Sequence, residues 1–153
     1  DAGYRCMIDT TTRLNRPGAT LANLPGVRAM TDVTGFGLLG HSLEMARGAG
    51  LTVRIRFADL PWLDGVQQLA SEGSITGASG RNWASYGESI RLDSRLSDVD
   101  RALLTDPQTS GGLLVACAPD AVKDVLAIFH DQGFAQAVVV GEMLPGDAVV
   151  EVV

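Results

Sequence analysis

Cysteine is nearly missing. Cys6 and Cys117 are the only two, far apart, with no C-x-x-C spacing and no histidine pair nearby, so neither a zinc site nor a disulfide framework is indicated. A reduced, cytoplasmic setting is the simpler expectation. Basic residues are also outnumbered: 12 Lys and Arg against 18 Asp and Glu give a net charge of -6, and no Lys/Arg-rich run interrupts the acidic balance. That speaks against a general nucleic-acid surface. It does not speak against ATP, whose charge magnesium offsets locally. No apolar run approaches the ~18 residues of a membrane span, and the N-terminus lacks a signal-peptide pattern. Partners are therefore expected to be neither nucleic acid nor membrane. There is no Walker pattern with its lysine, no kinase catalytic set, and no nucleophile accompanied by a histidine and an acid at telling positions. The chain holds no complete catalytic engine of those kinds.

What remains is ordinary globular material. At 153 residues the chain fits one domain, large enough to bury roughly 70% of its unfolded-chain surface. A hydrophobic fraction of 46% with 20% charged residues does not predict disorder, and 18 glycines predict many turns. There is no low-complexity segment and no repeat beyond a loose recurrence of strand, helix and strand.

The stretch Ala29-Met30-Thr31-Asp32-Val33-Thr34-Gly35-Phe36-Gly37-Leu38-Leu39-Gly40-His41 organises the rest. It reads as strand, glycine-rich turn and helix. Such a junction offers a carboxylate at the strand end and unpaired amides at the helix start, which attract anions. Asp32 can hold a metal while the turn faces phosphate; its alternative role is to cap the helix. The spelling Gly35-x-Gly37-x-x-Gly40 also satisfies the dinucleotide fingerprint, with Asp59 near the expected ~20-residue spacing. Against that reading, Thr31-Asp32-Val33-Thr34 places three polar residues where a central parallel strand is usually apolar.

Before this stretch, Tyr4, Met7, Ile8 and Leu14 have roughly helical spacing, Pro17-Gly18 makes a bend, and Ala19 to Leu24 resumes a short helix. Residues 1–18 are expected to be a leading helix and linker from a preceding domain, with the domain proper at 19–153. After it, Gly37 to Arg47 has one apolar helical face, and Gly48-Ala49-Gly50 supplies the stop. His41 is expected to bond a neighbouring carbonyl. Leu51 to Phe57 alternates, with Thr52, Arg54 and Arg56 on the polar face, either solvated or turned to substrate phosphates. A helix over 64–71 follows, and 73–80 is expected to be loop. Arg81-Asn82-Trp83-Ala84-Ser85-Tyr86-Gly87 reads either as a packed loop or as a ligand contact. Ser97 or Asp98 caps a helix to Leu104. Asp106-Pro107-Gln108-Thr109-Ser110-Gly111-Gly112 is a tight turn, in which Asp106 and Thr109 can bond its backbone amides. The remainder reads as β-α-β-β: a strand over 113–118, a helix begun by Pro119 and ended by Gly133, and strands over 137–140 and 148–152. His130 is expected to be solvated. The class is α+β.

Thr31-Asp32-Val33-Thr34-Gly35-Phe36-Gly37-Leu38-Leu39-Gly40-His41, Asn82-Trp83-Ala84-Ser85-Tyr86-Gly87 and Asp106-Pro107-Gln108-Thr109-Ser110-Gly111-Gly112-Leu113-Leu114 together resemble, in order, the carboxy-terminal domain of the selenophosphate synthetases (selenide, water dikinases). The likeness runs from about Asn23 to Gly141. It implies a three-layer α/β/α arrangement around a mixed sheet, shared with aminoimidazole ribonucleotide synthetase-related proteins. It also implies that ATP, selenide and water yield selenophosphate, AMP and phosphate in a cleft between two domains, with Mg2+ held mainly by amino-terminal aspartates joined by Asp32. Thr34, Gly35 and Gly37 become candidates for the nucleotide, and Asn82, Thr109 and Ser110 weaker ones. The family's reactive Cys or selenocysteine belongs to the amino-terminal part, and neither Cys6 nor Cys117 matches it. The expected partners are that amino-terminal domain, ATP and selenide, within a homodimer that the amino-terminal domain builds. On this reading the chain alone is inactive. Two alternatives stand beside it: a docking or assembly module without a direct chemical role, and a dinucleotide-binding domain.

Overall fold

A computed structural model describes residues 2–153, so the first residue of the expected 1–18 helix-and-linker segment lies outside the described part. Helix α1 (Ala2–Thr11) buries none of its residues, and Tyr4, Met7, Ile8 and the following Leu14 are exposed. The helical spacing is realised, but the helix ends at Thr11 rather than Leu14. Helix α2 (Pro17–Leu21) opens on a proline, whose missing N–H is not needed in a first turn. It crosses the boundary expected after residue 18, and its Leu21 is fully buried.

Strand β1 (Val27–Asp32) leads through the glycine turn into α3 (Gly37–Ala49) and then β2 (Thr52–Ile55). Gly50 adopts φ +64 at the end of α3 and stops it as expected. β2 is shorter than its alternating sequence. The Leu51 amide still bonds Ala46 of the helix, and Phe57 already begins a 3-10 turn. The alternation misplaces Thr52, which is buried because its hydroxyl donates to the Asp147 carbonyl at 2.7 Å.

Helix α4 (Val66–Ser71) precedes the largest departure from the sequence reading, since Gly77–Tyr86 is a helix, α5, where loop is expected from Gly73 to Gly80. Thr76 caps it by accepting the Ser79 amide, a bond of the kind that offsets the poor helix propensity of Gly77 and Gly80. Strand β3 (Ile90–Leu92) follows, then α6 (Asp98–Leu104), which starts with a reciprocal capping box between Ser97 and Asp100. Strand β4 (Leu113–Cys117), helix α7 (Val122–Asp131), β5 (Gly141–Leu144) and β6 (Val150–Val152) complete the expected β-α-β-β order. The strand expected over 137–140 is irregular, with the Val140 carbonyl bonded across to the Arg56 amide, and the ladder begins at Gly141, where the Arg54 carbonyl leaves no room for a side chain.

Among the described residues, six strands form two sheets. β1 and β4 make an antiparallel ribbon, while a four-stranded mixed sheet runs β3-β6-β2-β5, with β6 parallel to both neighbours and β5 antiparallel to β2. The fold is α+β, with helices around mixed sheet, as expected. A larger core joins Leu39 and Leu43 of α3 to Ile55, Tyr86, Ile90, Leu104, Val150 and Val152. A smaller one joins Leu21 to Val125 and Phe129 of α7 beside the ribbon. Each fully buried leucine contributes roughly 1.5–3 kcal/mol relative to exposure. The strand-turn-helix junction is therefore held from both sides.

The cross-strand register sets Arg91, Glu151, Arg54 and Glu142 side by side on β3, β6, β2 and β5. Glu151 accepts from Arg54 at 2.9 Å and from Arg91 at 3.2 Å, and these bonds hold its carboxyl below the usual range. Arg56 pairs with Asp59. Both arginines that the alternation offered to phosphates are thus matched with carboxylates of the chain itself.

Candidate functional site

The three long motifs meet at the β1–α3 junction. The Val33 amide donates to the Gly112 carbonyl at 2.9 Å, and the Gln108 amide donates to the Thr34 carbonyl at 3.0 Å. Gly111 lies so close under the Val33 carbonyl that no side chain fits there. Gly37, at φ +68, sits where a Cβ would stand 2.7 Å from the Thr105 carbonyl carbon, so this helix start requires glycine twice over. The result is a pair of interlocked turns at one end of the ribbon, one leaving β1 after Asp32 and the other entering β4 before Leu113.

Helix α5 clamps them. Both amide protons of Asn82 have takers, the carbonyls of Gly35 and Thr105, each at 2.9 Å. One turn along, the Tyr86 hydroxyl donates to the Phe36 carbonyl at 2.6 Å. Burial pushes this phenol up to about 12, against an opposing bond from the Gly40 amide. At the head of α5, Thr76 and Ser79 donate to the Asp106 carboxylate at 2.9 and 3.2 Å. Asp106, expected to bond the amides of its own turn, instead anchors a distant helix. The 81–87 segment is likewise a helical clamp rather than a loop.

The candidate residues divide accordingly. Asp32 is exposed at the end of β1, and among the described residues its carboxylate has no hydrogen bond or ion pair. It does not cap α3, which begins without any side-chain cap. Thr34 is half-buried, with its hydroxyl 3.1 Å from Nε2 of His41. Gly35 is exposed beside open space. Gly37 is buried and serves packing, and the Asn82 donors are used up. Thr109 and Ser110 are exposed, with Ser110 at φ 50.

His41 is buried and bonds two side chains rather than the expected carbonyl: Thr34 on one nitrogen and Glu44 on the other, at 2.9 Å. Glu44 escapes the sequence reading, although its i,i+3 spacing from His41 is the available signal. His130 is exposed and bonds the Ala137 carbonyl. Both cysteines are free, and burial together with Asp120 raises the Cys117 thiol, the opposite of an activated nucleophile.

No group of three or more His, Cys, Asp or Glu among the described residues can hold a metal by itself. One free carboxylate at a surface turn suits the way magnesium is bound, by one or two carboxylates with substrate phosphates and water. Asp32 therefore fits one ligand of a shared site. The fingerprint glycines find another use, for Gly40 packs against Phe36 and the Tyr86 ring. β1 and β2 also lie in different sheets, so the parallel βαβ unit of a dinucleotide fold is not formed.

Residues 9–153 match the family described as AIR synthase related protein, C-terminal domain. The chain is 67% identical over 150 residues to a selenide, water dikinase of Burkholderia pseudomallei, covering 98% of the chain and 42% of that protein. It is 66% identical over 146 residues to the selenide, water dikinase of Pseudomonas straminea, covering 95% and 41%. It thus spans less than half the length of these relatives. Among solved structures, the hydrogenase maturation protein HypE of E. coli shares the fold, with a TM-score of 0.65 at 20% identity over 90% of the chain and 35% of HypE. A HypE structure in complex with ATP matches at TM-score 0.56 and 15% identity, over 86% and 32%.

Proposed function

The chain belongs to the AIR synthase related family, as its C-terminal domain, and from that premise we propose that it is the carboxy-terminal part of a selenide, water dikinase. That enzyme would convert ATP, selenide and water into selenophosphate, AMP and phosphate. Two relatives of that name, at 67% and 66% identity, support the reading. The chain would supply one wall of a Mg-ATP cleft whose other wall belongs to an amino-terminal domain. The observation that carries this is the state of Asp32. Around it, the donors of Asn82 and Tyr86 and the carboxylate of Asp106 are spent on internal bonds, while its own carboxylate is exposed and unpartnered among the described residues.

Magnesium, when bound, would neutralise charge on the phosphoryl oxygens. The chain's own contribution is positional. The ribbon end fixes Asp32, and the Asn82 and Tyr86 clamp holds the Gly35–Phe36 turn beside it. Exposed Gly35, with no side chain to block approach, allows a nucleotide phosphate near the turn. By itself the chain has one ligand and no reactive nucleophile, so it makes no selenophosphate.

The test is phosphorus NMR of ATP, AMP and selenophosphate in the full-length enzyme with selenide and magnesium, comparing wild type with Asp32→Ala. A loss beyond the ~10–100-fold typical of outer-shell metal partners, eased by excess magnesium, is expected. Unchanged selenophosphate production would reduce the domain to an assembly module.

A further inference from the structure

Beneath the Asp32–Gly35 turn lies a chain of hydrogen bonds that the proposed function does not use. The Thr34 hydroxyl meets Nε2 of His41 at 3.1 Å, and Nδ1 of the same ring meets Oε2 of Glu44 at 2.9 Å. His41 is 7% exposed, and the Phe36 ring covers it at a centroid distance of 5.9 Å. The Glu44 side chain, in contrast, is 58% exposed. The chain of bonds therefore leads from solvent, through a buried imidazole, to the turn that carries Asp32.

For a neutral imidazole, the chemistry of the three members sets the direction of each bond. An ionised carboxylate only accepts, so Glu44 requires the ring proton on Nδ1. In the neutral imidazole Nε2 then carries a lone pair, and the Thr34 hydroxyl must donate to it. Its one proton thus committed inward, Thr34 has only acceptor capacity left for anything outside. It cannot donate to a phosphate oxygen. Its oxygen can turn a lone pair to a cation or accept hydrogen bonds from a cation's water shell, two residues from a free carboxylate.

We infer that His41 is a positioning residue, held by Glu44 in the Nδ1–H form, that turns the Thr34 hydroxyl into an acceptor for a hydrated divalent cation beside Asp32. The inference rests on Asp32 facing that cation. It assigns Thr34 to the cation side of the site rather than to the nucleotide phosphates, and it makes Glu44, on the far side of the ring, part of the cation site's support. Outer partners of this kind are worth about 10–100-fold in metal affinity.

Two measurements on the full-length protein test it. In the first, 15N-labelled histidine is examined by two-bond nitrogen–proton correlation, with the His41 signal assigned by its loss in His41→Gln. The proton is expected on Nδ1 alone, with a mixture of forms in Glu44→Gln. A proton on Nε2 in the wild type overturns the inference, whatever any variant does. In the second, magnesium dependence is followed in His41→Ala and His41→Gln. Alanine should raise the magnesium needed for half-maximal turnover by about 10–100-fold, with kcat at saturating magnesium close to wild type. Glutamine, whose amide oxygen can accept the Thr34 proton in place of Nε2, should recover most of the difference. A fall in kcat without a change in magnesium dependence, or no recovery by glutamine, sinks the inference. Failure of the functional reading itself is separate, since it would show as magnesium dependence unaltered by Asp32→Ala.

Discussion

The carbonyl of Val33 occupies the space that any side chain on Gly111 would need. These two residues come from motifs nearly eighty positions apart, and their contact sets how closely the two turns interlock. Backbone against backbone leaves neither side a flexible tip to swing away.

Gly111→Ala should therefore lower stability by about 3 kcal/mol, the upper end of ordinary overpacking. Gly112 next to it has open space at its Cβ position. Gly112→Ala should fall within about 0.5 kcal/mol of wild type. Urea unfolding of both variants checks the contrast, and equal midpoints would refute the interlocked geometry.

Asn82→Ala removes two hydrogen bonds to the Gly35 and Thr105 carbonyls, and should cost about 2 kcal/mol at roughly 1 kcal/mol each. Asn82→Asp keeps the shape but faces both carbonyls with acceptor oxygens. It should be at least as damaging at neutral pH, and part of the deficit should return as pH falls below about 4, where the carboxyl regains a proton to donate. Thermal unfolding of both variants between about pH 3.5 and 7 measures this.

Tyr86 gives an alkaline signature. Its phenol is raised to about 12 in the folded chain, against about 10 when unfolded, so the folded state holds its proton more tightly. The associated stability is fully present below about pH 10 and is lost as pH rises from there to about 12. Tyr86→Phe should cost about 1 kcal/mol at neutral pH through the lost bond to Phe36, and should flatten the decline. Urea midpoints at about pH 8 and pH 11 for both proteins decide it.

Much of this architecture is legible because local and tertiary preferences agree. The apolar face of α3, the Ser97 cap of α6 and the β1-turn-α3 order all follow from short-range patterns that the packing respects. The larger failures share a cause: decisive bonds that run between distant residues. Helix α5 begins in glycine- and serine-rich sequence that reads as loop, and it is secured by Asp106, thirty positions beyond Thr76. The β-branched run Val138-Val139-Val140 misleads in the opposite sense. Val138 and Val139 have strand propensity but stay half-exposed outside the ladder, because the register of β5 is set by Gly141 against Arg54.

The candidate site divides along the same line. The exposed position of Asp32 is legible from an acid at a strand end, and the metal role is the proposal which that position supports. Asn82, offered as a nucleotide contact, spends its donors inward, and only the three-dimensional meeting of Gly35 with Thr105 reveals that. The Thr34–His41–Glu44 chain needs both the helical spacing of His41 and Glu44 and the fold of the preceding turn.

The place of β6 between β3 and β2 has a consequence for synthesis. Among the described residues, strands β2 and β3 share no ladder of their own, and the short β6, Val150–Val152 with its flanking Val149 and Val153, joins them. A ribosome delivers those residues some sixty positions after Ile90, so β2 and β3 have no partner in this sheet until β5 and β6 emerge. The strand that completes the sheet is thus among the last to be made, and unpaired strand edges of this kind are exposed to misassociation until it arrives.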